Sequence, residues 1–161
     1  MSSKENLKAA FAGESQANRK YLAFSEKAEK DGFQQVAKLF KAAATAETIH
    51  ALAHLRAMGG IQSTEENLKE AVEGERYEFQ DMYPGFLNQA QAEGDKKAEA
   101  TFGYALEAER IHHQLYAKAL EAVQSGKDLE SMSIYLCPVC GNLEIGETPD
   151  KLPGDKFQEI Q

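Results

Sequence analysis

The sequence predicts an all-α protein: a four-helix bundle with one long crossover, followed by a small irregular or β C-terminal tail. Three observations carry this. Apolar residues recur at helical spacing in four long stretches separated by glycine-containing breaks. The halves of the chain repeat: residues 28–50 align without a gap on residues 90–112, with Ala28/Ala90, Gly32/Gly94, Phe40/Phe102, Ala43/Ala105, Ala46/Ala108, Glu47/Glu109, Ile49/Ile111 and His50/His112 identical. The composition, 42% apolar and 27% charged over 161 residues, is rich in Ala, Glu and Lys and long enough to bury a core without disulfide staples.

Taken in order, Ser2-x-x-Glu5 forms a capping box for the first helix, which carries Leu7, Ala10, Phe11, Glu14, Ala17, Tyr21, Phe24 and Ala28 on one stripe and ends at Asp31-Gly32. The second carries Phe33, Val36, Ala37, Phe40, Ala43, Glu47, His50 and His54 and stops at Gly59-Gly60. Ser63-x-x-Glu66 opens the third, with Leu68, Ala71, Val72, Glu75, Glu78, Phe79 and Met82; Pro84 is expected to kink it, having no backbone donor. The fourth follows Gly94, shows Ala98, Phe102, Ala105, Glu109, His112, Leu115, Ala119 and Val123, and ends at Ser125-Gly126. Short links make helices one and two, and three and four, antiparallel hairpins, while the longer segment after Met58 crosses over. We therefore expect a bundle over residues 1–126, a linker over 127–134 and a tail over 135–161.

The formal charge of -8 argues against nucleic acid as a partner. The N-terminus shows no apolar signal region and no apolar run approaches a membrane span, so a cytoplasmic protein is expected. The only two cysteines, Cys137 and Cys140, read as metal ligands or a redox pair.

The chemistry lies in where the charges fall. Glu14, Glu47, Glu75, Glu78 and Glu109 sit on apolar stripes, and bare carboxylates in a core cost several kcal/mol each unless paired or bound to metal. One Glu-x-x-His means little in a chain with 20 Glu and 4 His. Two copies in register, Glu47/His50 and Glu109/His112, each matched by a Glu on the preceding helix, are the ligand pattern of a dinuclear iron or manganese site in a bundle core. Five carboxylates against two divalent ions leave a net charge of -1, a balance suited to redox cycling. Glu78 exceeds the minimal set: it either competes with His50 for one metal or accepts a hydrogen bond from a ligand histidine. His54, one turn beyond His50, reads as a supporting or core residue, and His113 as a surface one. Tyr21 and Tyr83 lie two turns beyond Glu14 and Glu75, either as ordinary packing or as phenols hydrogen-bonded near the metals.

Gly13-Glu14-Ser15-Gln16-Ala17, the two Glu-x-x-His helices, Gly74-Glu75-Arg76-Tyr77-Glu78 with Met82-Tyr83-Pro84, and Cys137-Pro138-Val139-Cys140-Gly141 together resemble the rubrerythrin family over nearly the whole chain. The resemblance implies a ferritin-like di-iron domain and a rubredoxin-like tail. It implies a cytoplasmic peroxidase that reduces hydrogen peroxide to water, NADH-linked through a donor such as rubredoxin or its reductase. It implies Glu14, Glu47, Glu109 and either Glu78 or His50 on one iron, and Glu75, Glu47, Glu109 and His112 on the other, with Glu47 and Glu109 bridging and Tyr21 and Tyr83 as active-site tyrosines. A homodimer is implied too, and the crossover is long enough for helices to be exchanged between subunits. The tail departs from the pattern. A second Cys-x-x-Cys, expected just after Lys151, is absent, so one chain cannot build a four-thiolate iron site. The rubredoxin-type iron is then missing or shared between chains, or Cys137 and Cys140 bind zinc with outside help. The competing function is a ferritin-like ferroxidase that handles iron.

Overall fold

The structure, a computed structural model, describes residues 2–146 and 157–160. The stretch where the second cysteine pair was expected lies outside the described residues. The chain divides into two compact units, Met1–Gln62 and Ser63–Gln161.

The first unit is a hairpin of α1 (Ser3–Lys30) and α2 (Gln34–Ala57). The Ser2/Glu5 capping box closes the start of α1, supplying partners to backbone groups the helix itself leaves free. Gly32 turns the chain with φ 87°, a left-handed conformation a side chain would strain. The helices approach closely because their contact line is small. Ala37, Ala44 and Ala51 recur every seventh residue on α2 and are buried, as are Asn18, Ser25 and Ala28 on α1. Two buried polar side chains fix the register. Asn18 Nδ2 donates to the Ala44 carbonyl at 2.6 Å and to Thr48 Oγ1 at 2.8 Å, and Ser25 Oγ donates to the Ala37 carbonyl at 2.9 Å.

The second unit packs α3 (Thr64–Tyr77), a π-helical turn (Glu78–Met82) and α4 (Tyr83–Glu93) along α5 (Lys96–Gln124). The Ser63/Glu66 capping box opens α3, Gly94 ends α4 with φ 72°, and Asp95 caps α5 by accepting from the Lys97 and Ala98 amides. The expected proline kink is replaced by the π turn. Pro84 lies at the entrance of α4, where its missing donor is tolerated, and the helix absorbs the irregularity one turn earlier by widening.

The tail forms an antiparallel sheet in the order β2-β1-β3, from β1 (Ile134–Leu136), β2 (Leu143–Ile145) and β3 (Gln158–Ile160), with Ile134 paired to both Ile145 and Ile160. It rests on α5, where Leu115 and Lys118 share an apolar cleft with Met132, Ile134 and Ile145. Among the described residues, no helix is long and apolar enough to cross a membrane.

Candidate metal centre

Each unit brings one Glu-x-x-His pair together with the glutamate of the preceding helix. In the first, Glu14 of α1 meets Glu47 and His50 of α2; in the second, Glu75 of α3 meets Glu109 and His112 of α5. Within each trio one ligand atom per residue lies within 4.8 Å of the others. Among the described residues these are the only two such groups. Helical geometry explains both: residues three apart share a face, so the carboxylate and imidazole of each pair look at the same partner helix.

The distances repeat. His50 Nδ1 stands 3.0 Å from Glu47 Oε2 and 3.9 Å from Glu14 Oε1; His112 Nδ1 stands 2.7 Å from Glu109 Oε2 and 4.0 Å from Glu75 Oε2. The protonation pattern repeats too. Glu14 is raised from the ordinary carboxyl value by its hydrogen bond to Glu47 and by burial, while that bond and one from His50 lower Glu47. Burial, then the hydrogen bond and charge of Glu109, push Glu75 up to about 7. Two carboxyl groups bond to each other only when a proton sits between them. Two carboxylates and an imidazole converging on a point that otherwise needs a proton are the donor set for a divalent cation, which replaces that proton. The residues therefore fit iron.

The two trios differ in their surroundings. His50 leaves 56% of its side chain exposed, His112 only 19%. The Nε2 of His112 donates to the carbonyl of Gly141 in the tail at 3.0 Å. Since a carbonyl only accepts, this bond places a hydrogen on Nε2 and turns Nδ1 toward Glu75 and Glu109. Sequence reasoning did not find this contact, because it joins residues 29 apart through a backbone atom.

The other expected residues fall into place around the trios without joining them. Glu78 begins the π turn, half-buried, and burial and the charge of Glu109 raise its carboxyl. Tyr83 packs on Phe86 and Phe102, and burial, then the charges of Glu78, Glu109 and Glu75, raise its phenol. Tyr21 packs on Phe24 and Phe40, with ring centroids at 6.3 and 6.1 Å. His54 lies near enough for its charge to act on Glu14. His113 is not a surface residue: it is part-buried against Phe79, with ring centroids 5.2 Å apart, and its Nδ1 reaches the Val72 carbonyl at 3.1 Å, because α3 covers this flank of α5. Cys137 is buried and Cys140 half-buried. They form a knuckle in which the Cys140 amide lies 3.5 Å from Cys137 Sγ, and the Gly141 amide donates to the Cys137 carbonyl at 3.0 Å.

Comparison with known proteins agrees with this geometry. The Rubrerythrin family model matches residues 5–120. Rubrerythrin-2 of Clostridium acetobutylicum is 37% identical over 94% of this chain and 93% of its own length. Nigerythrin of Nitratidesulfovibrio vulgaris is 39% identical over 92% of this chain and 79% of its own. The solved structure of nigerythrin in its fully reduced, all-ferrous state superposes with a TM-score of 0.57 at 35% identity, covering 99% of this chain and 87% of that one. The chain belongs to the rubrerythrin family of di-iron, ferritin-like proteins.

Proposed function

We propose that the protein is a peroxidase that reduces hydrogen peroxide to two waters, with electrons from a rubredoxin-type donor linked to NADH. The observation that carries this is the pair of acids at one trio that stand outside the metal-binding group. Glu78 and Tyr83 are both raised, by burial first and by neighbouring carboxylate charge after it. Splitting the O–O bond into two waters consumes two protons, and an iron-handling protein has no need to hold them in waiting.

Glu14, Glu47 and His50 of one unit and Glu75, Glu109 and His112 of the other would hold the iron. When bound, the two ferrous ions supply the two electrons of the cleavage together, so that no free hydroxyl radical is released. Glu78 delivers a proton from its raised carboxyl. Tyr83 stands beside it as a second donor or as the hydrogen-bond partner that reprotonates it. Half-burial raises both Glu78 and Tyr83 above their ordinary values. The two histidines differ in freedom: His50 is exposed, whereas His112 is fastened through Gly141.

Stopped-flow mixing of the diferrous protein with peroxide and, separately, with dioxygen tests this. Faster oxidation by peroxide is expected. Oxidation by dioxygen at a higher rate would make the protein a ferroxidase instead.

A further inference from the structure

The tail touches the metal-binding hairpin at a ligand. His112 Nε2 donates to the Gly141 carbonyl, and Gly141 follows Cys140 directly in the chain. A cleft of about 300 Å³ is lined by Glu109 and His112 on one side and by Cys140 and Gly141 on the other. In the knuckle the Cys140 amide lies 3.5 Å from Cys137 Sγ, which brings the two cysteines together, and burial first, then the hydrogen bond and charge of Cys137, raise the Cys140 thiol. A four-thiolate iron needs two more cysteines than the sequence contains. Among the described residues, no His, Asp or Glu joins Cys137 and Cys140 in a metal-binding group. What the pair retains is proximity to each other and a one-hydrogen-bond link to a ligand histidine.

We propose that Cys137 and Cys140 form a dithiol–disulfide couple that delivers two electrons to the metal centre through His112, so that a small or protein dithiol can serve as reductant. This rests on the peroxidase reading. The two thiols give up two protons and two electrons as a sulfur–sulfur bond forms, and the electrons reduce two ferric ions to ferrous. With peroxide as final acceptor, two thiols and one hydrogen peroxide become one disulfide and two waters. An external dithiol restores the pair by attacking Cys140 Sγ, the more exposed sulfur, with the buried Cys137 as leaving group.

The test adds one equivalent of hydrogen peroxide to iron-loaded and to metal-free protein, both with reduced thiols, and counts alkylatable cysteines by intact mass. The disulfide is expected to form at least about tenfold faster with iron bound. Dithiothreitol should then sustain peroxide turnover by the wild type, and Cys137→Ser and Cys140→Ser should each lose it. Both variants should still consume one peroxide per two irons in a single turnover from the diferrous state, which also shows that they are folded. Thiols that stay alkylatable in the loaded protein, or oxidise equally fast without iron, overturn the couple while leaving the peroxidase intact. So does firm binding of one metal by the cysteines of two chains. A diferrous protein inert to peroxide removes the peroxidase reading, and the couple with it.

Discussion

Removing the metal exposes what the acid pairs do to the fold. In the metal-free protein Glu75 is held at about 7 against an ordinary carboxyl value of 4.5, by burial and by its shared proton with Glu109. A group whose folded value is raised stabilises the fold fully below its unfolded value, and that contribution is lost as pH rises through the folded value. Stability of the metal-free protein should therefore fall between pH 5 and pH 8. At about 1.4 kcal/mol per pH unit the ceiling is about 3 kcal/mol. Water still reaches this half-buried pair and screens the interaction to about 1–2 kcal/mol. Glu14 and Glu78 are raised too, so they add to the fall rather than offset it. The assay is urea unfolding of chelator-treated protein, followed by circular dichroism at pH 5, 6, 7 and 8. Glu75→Gln retains an amide donor toward Glu109 without the titration and should flatten the curve. Adding ferrous ion or zinc should reverse the slope, because metal competes with the shared protons and binds better as they leave. Stability that rises from pH 5 to pH 8, or a Glu75→Gln profile as steep as the wild type, would refute the reasoning.

Metal analysis of the iron-loaded protein should give two irons per chain; Glu47→Ala and Glu109→Ala, each removing a predicted bridge, should give fewer than one. Asn18→Ala removes two buried hydrogen bonds and strands the Thr48 hydroxyl and Ala44 carbonyl, and should cost about 1–3 kcal/mol in urea unfolding while α1 and α2 keep their helicity. Glu78→Ala should slow peroxide reduction by the iron-loaded protein several-fold in stopped-flow mixing while the helical content is unchanged.

Most of the ligand set was legible because its signal is local: a carboxylate and an imidazole three residues apart share a helical face wherever the helix goes. The capping boxes at Ser2 and Ser63 were legible for the same reason. Asn18 and Ser25 were not, since polar residues on a contact line look like surface residues until the partner carbonyls of Ala44 and Ala37 are in place. The seven-residue spacing they share with the buried alanines was the available signal. His113 was placed at the surface from its angle to His112, and only the packing of α3 on that flank of α5 corrects it.

The π turn is the most instructive case, because the sequence contained it in plain form. Gly13-Glu14 matches Gly74-Glu75 sixty-one positions on, while Tyr21 matches Tyr83, and Ala28 matches Ala90, sixty-two positions on. One residue has therefore been added between Glu75 and Tyr83. An α-helix that gains one residue while its two ends keep their faces must carry a wider turn at the insertion, and Glu78–Met82 is that turn. The first half, seven residues from Glu14 to Tyr21, runs as uninterrupted α-helix and has Ala17 where the second half carries Glu78. The same insertion thus accounts for the wide turn and for the continued alignment of Tyr83 and Ala90 with their counterparts, while Glu78 keeps the helical register of Glu75. Between Glu75 and Tyr83, the asymmetry that bears on the proposed proton delivery is one added residue and a glutamate in place of an alanine.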